Sequence, residues 1–124
     1  MSKVINTVGG GGSGGSTWRL LWTNTNDAAD FSAQNIPIDT SGCTEIQIYW
    51  RQIKNDTYYF THTDRIGYGR GSYLFNNSGG KLLRRGFTVT DANTIHFEDG
   101  QIYNSYATAT TANDRCIPSE IYAK

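Results

Sequence analysis

The sequence contains little of what metal sites, redox chemistry and membrane insertion require. Its 124 residues include two cysteines and two histidines, without the spacing of a zinc site or of a calcium-binding loop. No stretch reaches the roughly 18 apolar residues of a transmembrane helix. The apolar pair Val4-Ile5 is followed by polar residues, which is not the pattern of a signal peptide. We therefore expect no metal, no cofactor and no membrane insertion, and synthesis and assembly in the cytoplasm.

The sequence also lacks an excess of positive or of negative charge. Eleven Lys and Arg residues balance eleven Asp and Glu residues, so the formal net charge is zero. A protein whose main task is to hold nucleic acid phosphates or an anionic membrane surface needs a basic excess. The balance of charge therefore argues against nucleic acid as a partner.

The two cysteines, Cys43 and Cys116, are far apart in the sequence. A disulfide between them depends on geometry that a sequence does not contain. In a reducing compartment such a pair is more often two partly buried thiols, and this is the state we expect. Whether the two residues pair is left open at this point.

Aromatic residues and alternating polarity are abundant. Aromatic side chains make up 13% of the sequence, which suits thin β-layers because rings supply core volume on a pleated surface. The clearest alternation places Ile46, Ile48 and Trp50 on one face of a strand. Turn residues separate the segments of this kind, which are 18–22, 36–38, 45–51, 57–63, 72–75, 86–90, 94–97 and 117–123. About seven or eight short strands predict an all-β fold, an antiparallel β-sandwich that is jelly-roll-like.

Two of these strands carry local expectations. Trp18, Leu20 and Trp22 alternate, so they are expected to point the same way, with Leu21 as the exception to the pattern. Ile36 and Ile38 alternate around Pro37, and proline cannot donate a hydrogen bond to a neighbouring strand. The strand that contains Pro37 is therefore expected at the edge of a sheet.

Three polar segments are expected outside the core. The pair Asp99-Gly100 is typical of a hairpin turn. Residues 106–113 are small and polar, and favour a surface loop or a weak edge strand. Residues 81–85 form a basic patch before a strand, which is interpreted as a solvated face or an interface charge because the overall charge is zero.

A run of six glycines and two serines at residues 9–16 is the sharpest change of composition. Such a run has high backbone entropy and behaves as a flexible linker. It separates a head at residues 1–8 from a β-sandwich domain at residues 17–124. Eight residues cannot fold alone, so either the head docks on a larger assembly, or it is a disordered or engineered terminus. The candidate anchor residues are Val4, Ile5 and Val8.

Residues for catalysis are few. His62 and Asp64 have the alternate spacing of a general base and its orienting carboxylate, but no nucleophile motif accompanies them. Glu98 and Asp99 resemble the start of a glycosidase pair, but neighbours on a strand point opposite ways. His96 lies between two apolar residues and is expected to face water. We therefore expect no enzymatic activity and no catalytic residue.

Two groups of residues suggest binding instead. Residues 67–71 alternate glycine with Tyr68 and Arg70, and form either a mobile loop that presents these side chains to a partner or a tight turn. The aromatic residues nearby favour either stacking on sugar rings or core and inter-subunit packing. The candidate ligand-binding residues are Tyr59, Tyr68, Arg70 and Tyr73.

Several motifs follow one another in a fixed order along residues 17–124. They are Trp18-Arg-Leu-Leu-Trp22-Thr-Asn24, Phe31-Ser-Ala-Gln34, Ile38-Asp-Thr-Ser-Gly42, Ile46-Gln-Ile-Tyr-Trp50, Arg84-Arg-Gly-Phe87-Thr-Val89, Ile95-His-Phe97 and Ile117-Pro-Ser-Glu-Ile121-Tyr122. Together they resemble a small β-domain of minor structural and tail proteins of tailed phages and prophages. The sequence departs from that family at Cys43, where the family has an aromatic residue, so packing there is expected to differ.

The resemblance implies a β-sandwich in a non-enzymatic virion structural protein of the tail, the baseplate or a head fibre. Its N-terminal arm would attach to other virion proteins, and its sandwich would contact host surface glycans or neighbouring virion proteins. Fibre-like virion proteins are commonly homo-oligomers, trimers among them. The alternative is a free-standing, lectin-like carbohydrate-binding module. The ligand, the host, the oligomeric state and the place on the virion are left open.

Overall fold

The structure is a computed structural model of the chain, and it describes residues 17–104 and 108–124. The described residues form nine strands and no helix, so none of them belongs to a helix able to cross a membrane. The strands are β1 (Arg19–Thr23), β2 (Gln34–Pro37), β3 (Glu45–Ile53), β4 (Tyr59–Arg65), β5 (Gly71–Ser78), β6 (Lys81–Asp91), β7 (Thr94–Tyr103), β8 (Ala109–Thr111) and β9 (Arg115–Ala123).

The strands form two antiparallel sheets. Sheet A has the order β1-β9-β3-β4, and sheet B has the order β2-β7-β6-β5, with β8 also beside β7. The expected all-β antiparallel sandwich is therefore confirmed. β2, which contains Pro37, lies at an edge of sheet B, as its proline predicts. β8 lies within the segment expected to be a loop or a weak edge strand, and it pairs three residues with β7.

The core lies between the two sheets. Ile46, Ile48 and Trp50 of β3 are at most 3% exposed, as their alternation predicts. They belong to the same buried cluster as Ile95 and Phe97 of β7 in the opposite sheet. Burying one side chain of this size stabilises the fold by about 1.5–3 kcal/mol. This packing therefore determines which face of each strand points inward and which is left for contact with other molecules.

The prediction for β1 is wrong in its alternation. Leu20 is 50% exposed, whereas Leu21 and Trp22 both pack against the core. The cause is a bulge, because Leu20 pairs with Tyr122 and Trp22 with Ile121, which leaves one residue of β1 without a partner. An extra residue of this kind reverses the alternation at one point of a strand, and counting every second residue does not detect it.

The predicted turn at Asp99-Gly100 is also wrong, because both residues lie inside β7. In the pairing of β6 with β7, residues 85–87 span the same interval as residues 97–100. β7 therefore carries one extra residue there, which is a β-bulge. The bulge leaves Glu98 and Asp99 both exposed, so these neighbours do not alternate between core and solvent as the sequence suggested.

Residues 81–85 are not simply a solvated basic patch, because they lie within β6 and Arg85 points into the core. Its guanidinium donates hydrogen bonds to the carbonyl oxygens of Glu98 (2.6 Å), Cys116 (2.8 Å) and Arg115 (3.0 Å). Burial lowers the pKa of Arg85 to about 10, which leaves the side chain charged at neutral pH. This one side chain therefore joins β6 and β7 of sheet B to β9 of sheet A.

Cys43 and Cys116 are both free thiols, so they do not form a disulfide. Cys116 is fully buried rather than partly buried, and burial raises the pKa of its thiol to about 12. Cys43 is partly exposed, and its sulfur accepts a hydrogen bond from the Arg19 guanidinium at 3.4 Å. The expectation of two unpaired thiols is confirmed, with a deeper position for Cys116.

Candidate functional site

The four predicted ligand-binding residues lie on three different surfaces. Tyr59 is on the outer face of sheet A, because its neighbour Phe60 points inward and packs its ring 5.0 Å from that of Trp50. Tyr73 is on the outer face of sheet B, because its neighbour Leu74 is fully buried. Tyr68 and Arg70 lie in the loop that joins β4 to β5. The four residues therefore do not form one site.

Tyr59 belongs to a polar cluster that holds a loop against sheet A. Its hydroxyl donates to Asp27 at 3.0 Å, and Asp27 also pairs with Arg51 at 2.9 Å. The Arg51 guanidinium lies 4.9 Å from the centre of the Tyr59 ring. Ser119 of β9 donates to the same carboxylate at 2.7 Å. These contacts connect the segment after β1 with β3, β4 and β9, so Tyr59 stabilises the fold through them.

The loop between β4 and β5 uses Arg70 to hold its own shape. The Arg70 guanidinium donates to the Asp64 carboxylate at 3.1 Å and to the carbonyl oxygen of Arg65 at 2.9 Å. Gly69 has a φ of +80°, so the tight-turn interpretation of these glycines holds at this position. Tyr68 remains 55% exposed, with its hydroxyl 3.2 Å from Thr40 Oγ1. The Tyr68 ring is thus accessible to a binding partner, whereas the Arg70 guanidinium is bonded to Asp64 and Arg65.

His62 and Asp64 share the inward face of β4, as their spacing predicts, but they do not form a catalytic triad with the neighbouring Ser72. The His62 Nε2 atom lies 3.6 Å from Asp64 Oδ2, and the Ser72 hydroxyl donates to that same oxygen. Burial by itself would raise the pKa of Asp64, but hydrogen bonds, chiefly the one from Ser72, keep it below its usual value. A serine nucleophile needs a histidine between it and the carboxylate. Here the carboxylate lies in the middle, so the arrangement does not activate the serine.

Among the described strands, β5 carries two exposed aromatic rings on the outer face of sheet B. Tyr73 and Phe75 of β5 are 44% and 58% exposed. On the adjacent strand, the Arg84 guanidinium carbon lies 4.3 Å from the centre of the Tyr73 ring and 4.4 Å from that of Tyr103. Arg84 also donates to Gln101 Oε1 at 3.2 Å. We call this group the aromatic face; its members are Tyr73, Phe75, Arg84, Gln101 and Tyr103.

A cleft of about 300 Å³ adjoins the aromatic face. It exists because β2 pairs with residues 94–97 of β7 and β8 pairs with residues 101–103, so none of the described strands lies beside residues 98–100 on that side. We call this gap the notch. It is lined by Ala33, His96, Glu98, Asp99, Gln101 and Thr111. Because Gln101 belongs to both, the notch and the aromatic face form one continuous surface.

The polar side chains of the notch differ in how many hydrogen bonds they already make within the protein. Asp99 accepts hydrogen bonds from the Ala33 N–H at 2.9 Å and from Asn113 at 3.1 Å, and the bond from Ala33 is the main reason that the pKa of Asp99 is lowered. His96 faces outward, as expected, and its Nδ1 atom lies 2.7 Å from Asn35 Oδ1. Glu98 is exposed, and although its backbone carbonyl accepts a hydrogen bond from Arg85, its carboxylate makes none with any residue that the structure describes. Glu98 is therefore the open carboxylate of the notch.

Sequence reasoning found one member of the aromatic face, Tyr73, and missed the other four. The alternation of side chains along a strand could have identified Phe75, because it lies two residues after Tyr73 in the same predicted strand and must share its face. Arg84, Gln101 and Tyr103 could not be found in this way, since they join the group only through the pairing of β5, β6 and β7. The predicted anchor residues Val4, Ile5 and Val8 lie outside the described residues.

Comparison of the chain with protein-family models, with curated proteins and with solved structures gave no match in any of the three. Within residues 17–104 and 108–124, no group of three or more His, Cys, Asp or Glu side chains could hold a metal ion. The fold and the site therefore define the protein by architecture alone: a two-sheet β-sandwich with an aromatic face and a polar notch on sheet B.

Proposed function

We propose that this protein is a non-enzymatic structural protein of a bacteriophage virion, a component of the tail, the baseplate or a head fibre. In this proposal the N-terminal arm attaches to other virion proteins, and the sandwich contacts the host surface or a neighbouring virion protein through the aromatic face. The observation that carries the proposal is the exposure of Tyr73 and Phe75 beside a guanidinium held between two tyrosine rings. Clustered exposed rings with arginine are typical of contact surfaces.

The contacts of the titratable groups favour binding over catalysis. Asp64, Asp27 and Asp99 each accept hydrogen bonds from groups that hold two elements together. A catalytic carboxylate instead needs a free oxygen directed at a reacting atom. In the notch, the Glu98 carboxylate has a free oxygen. Its neighbour Asp99 cannot act as the second carboxylate of a catalytic pair, because it already accepts hydrogen bonds from Ala33 and Asn113.

The virion role is supported by the sequence. The ordered motifs of residues 17–124 resemble a phage β-domain, and the linker at residues 9–16 suits a head that binds one partner while the sandwich reaches another. In a particle with many copies, individually weak contacts add up to strong attachment. This favours a homo-oligomer, for example a trimer, over a monomer that acts alone.

The test is incorporation into particles purified from the strain that carries the gene. We expect the full chain in those particles, and we expect a chain without residues 1–16 to fold but to be absent from them. The matched variant Phe75→Ala keeps the arm, so it is expected to enter particles at the normal level while adsorption to host cells falls. If the shortened chain enters particles normally, or if the full chain is missing from them, the proposal is wrong.

A free-standing carbohydrate-binding module is the second candidate, and the aromatic face is the observation that favours it. Rings exposed on a flat sheet suit the flat C–H faces of sugars. This candidate expects the full chain in the soluble fraction, monomeric by analytical ultracentrifugation and absent from particles. The virion proposal expects the opposite on each count.

A further inference from the structure

We infer that the aromatic face and the notch together form a binding site for an uncharged oligosaccharide. One sugar ring stacks on Phe75, and hydroxyl groups of the next sugar bond to Glu98 and Gln101. The inference rests on the proposed function in one respect, which is that the aromatic face is the contact surface. It adds the chemical class of the ligand and the residues that select it.

Phe75 provides the stacking surface. Its ring is 58% exposed, and it makes no ring or cation contact with any other described residue. Tyr73 is less available, because the guanidinium of Arg84 already covers one side of its ring. The electron-rich face of an aromatic ring attracts the weakly positive C–H groups of a sugar. An open phenyl ring on a rigid strand therefore offers a sugar a platform that needs no rearrangement.

The distance between platform and notch suits more than one sugar unit. Phe75 pairs with Arg84, and Arg84 pairs with Gln101, so these residues lie in one row across β5, β6 and β7. Two strand spacings correspond to about 10 Å, which is a length that a disaccharide spans. Arg84 lies in the middle of the row, with its guanidinium against the rings of Tyr73 and Tyr103. A disaccharide laid across the row thus reaches the notch.

The notch supplies hydrogen-bonding groups that are still free. Glu98 has an unbonded carboxylate, which can accept two neighbouring hydroxyl donors. The Oε1 atom of Gln101 already accepts from Arg84 and Tyr103, so its amide N–H groups remain as donors toward a ligand. The His96 Nδ1 atom is used by Asn35, which leaves the Nε2 atom. A mixture of free acceptors and donors matches hydroxyl groups, since each of these both donates and accepts.

The charges select against acidic ligands. The cation of this surface, Arg84, spends its Nη2 atom on Gln101 and Tyr103, and rings cover both of its sides. The notch in contrast presents the carboxylates of Glu98 and Asp99. A sialic acid, a uronic acid or a phosphate placed in the notch would meet like charge from these two carboxylates. The site therefore suits a neutral sugar chain.

The test is nuclear magnetic resonance on the full, ¹⁵N-labelled chain. The probes are a neutral set of disaccharides (lactose, cellobiose, maltose, mannobiose and chitobiose) and an acidic set (sialyllactose and a glucuronic acid disaccharide). We expect at least one neutral probe to shift the amide signals of Phe75, Arg84 and Gln101 with a saturable, roughly millimolar dissociation constant. Phe75→Ala and Glu98→Gln should each weaken that binding by about tenfold or more. Tyr58→Ala, which removes a ring 65% exposed before β4, is the matched control and should leave binding unchanged.

Three results would overturn the inference. One is that no neutral probe causes saturable shifts at this surface. Another is that the acidic probes bind more tightly than the neutral ones, and that Glu98→Gln strengthens the binding of the acidic probes further. The third is that the shifts map to the loop at residues 66–70 and are lost in Tyr68→Ala. Incorporation into particles is measured without any sugar, so a protein that enters particles but binds none of the probes refutes this inference alone.

Discussion

Arg85 is a buried cation whose guanidinium bonds to backbone carbonyl groups and lies 5.2 Å from the centre of the Phe31 ring. Its guanidinium donates hydrogen bonds to the carbonyl oxygens of Glu98, Arg115 and Cys116, in two strands that belong to different sheets. Carbonyl groups at irregular points of strands lack ladder partners, and a planar guanidinium with five N–H donors can serve several of them at once. The residue therefore stabilises the bulge of β7 and the start of β9 together.

We expect Arg85→Lys to lower the free energy of unfolding by about 2–4 kcal/mol, because an ammonium group cannot reach all three carbonyl groups and each buried group left unpaired costs about 1–3 kcal/mol. Urea unfolding followed by tryptophan fluorescence measures it. Arg84→Lys, the same change one residue earlier on the outer face, is the control and should cost under about 1 kcal/mol. Equal effects of the two variants would contradict the structural role of Arg85.

The two thiols are predicted to differ in reactivity. Cys116 is fully buried, and burial raises the pKa of its thiol to about 12, so it contains almost no thiolate at neutral pH. Cys43 is partly exposed. Under native conditions a disulfide-exchange reagent should therefore titrate one thiol per chain, and two in denaturant. Two thiols that react at the same rate in the folded protein would show that Cys116 is reached by solvent.

Among the elements, β7 is the one that creates the candidate site. Its bulge exposes Glu98 and Asp99 together and brings Gly100 close to the backbone of Ala112, just after β8, and of Arg115 in β9. A Cβ atom on Gly100 would lie 2.3 Å from the Ala112 carbonyl oxygen and 2.9 Å from that of Arg115. Both neighbours are backbone atoms, which cannot move aside as a side chain can. A larger residue is therefore excluded at this position.

We expect Gly100→Ala to destabilise the fold by about 3 kcal/mol through this overlap. The matched control is Gly71→Ala in β5, where a Cβ atom would meet only Thr88 Oγ1 at 3.8 Å and the change should stay within about 0.5 kcal/mol. The measurement is the shift of the urea midpoint for both variants. If Gly100→Ala is as stable as the control, the bulge does not have this geometry.

The notch is also expected to respond to acid through Asp99. The Ala33 N–H and the Asn113 amide hold the pKa of Asp99 below the usual value of about 3.9. A carboxylate with a lowered pKa in the folded state contributes stability above that usual value and loses it as the pH falls through the folded value. Asp99→Asn should therefore be less stable than the natural chain at pH 7, and the difference should shrink as the pH falls below the usual value. The neighbouring Glu98→Gln removes a carboxylate without a described hydrogen bond, and is expected to change stability little at either pH.

At the scale of the whole molecule, the last strand holds the first half of the chain in place. β9 lies between β1 and β3 in sheet A, and it pairs Arg19 with Ala123 near opposite ends of the described chain. Arg85 further ties β9 to sheet B. Folding therefore has to await the C-terminal residues, and such long-range pairing is typical of sandwiches that fold in milliseconds to seconds.

We predict that a chain that ends at residue 114 does not fold, because β1 and β3 then lose their shared neighbour and the core loses Ile117 and Ile121. Circular dichroism and a urea titration should show no cooperative transition. The control replaces residues 109–111 of β8 with Gly and Ser, which removes an exposed three-residue edge strand and should leave the transition cooperative. A cooperative transition in the shortened chain would contradict the prediction.

The period-two pattern predicted the all-β class, the inward faces of β3 and β7, the outward direction of His96 and the edge position of β2. These features depend on one strand at a time, since they follow from alternation and from the missing donor of proline. The same method failed at β1 and at residues 98–100, because a bulge adds one residue whose partner strand is far away in the sequence.

The candidate site was accessible to sequence reasoning only in part. Tyr73 carries a local signal, and Phe75 shares its phase, but the other members of the aromatic face come from strands whose register is set by long-range pairing. The burial of Arg85 follows from the same cause, because its acceptors lie 13 to 31 residues away and meet only when both sheets have formed. The alternation of residues within single strands thus determined the class of fold. Contacts between distant segments determined which side chains are buried and which lie together at the surface.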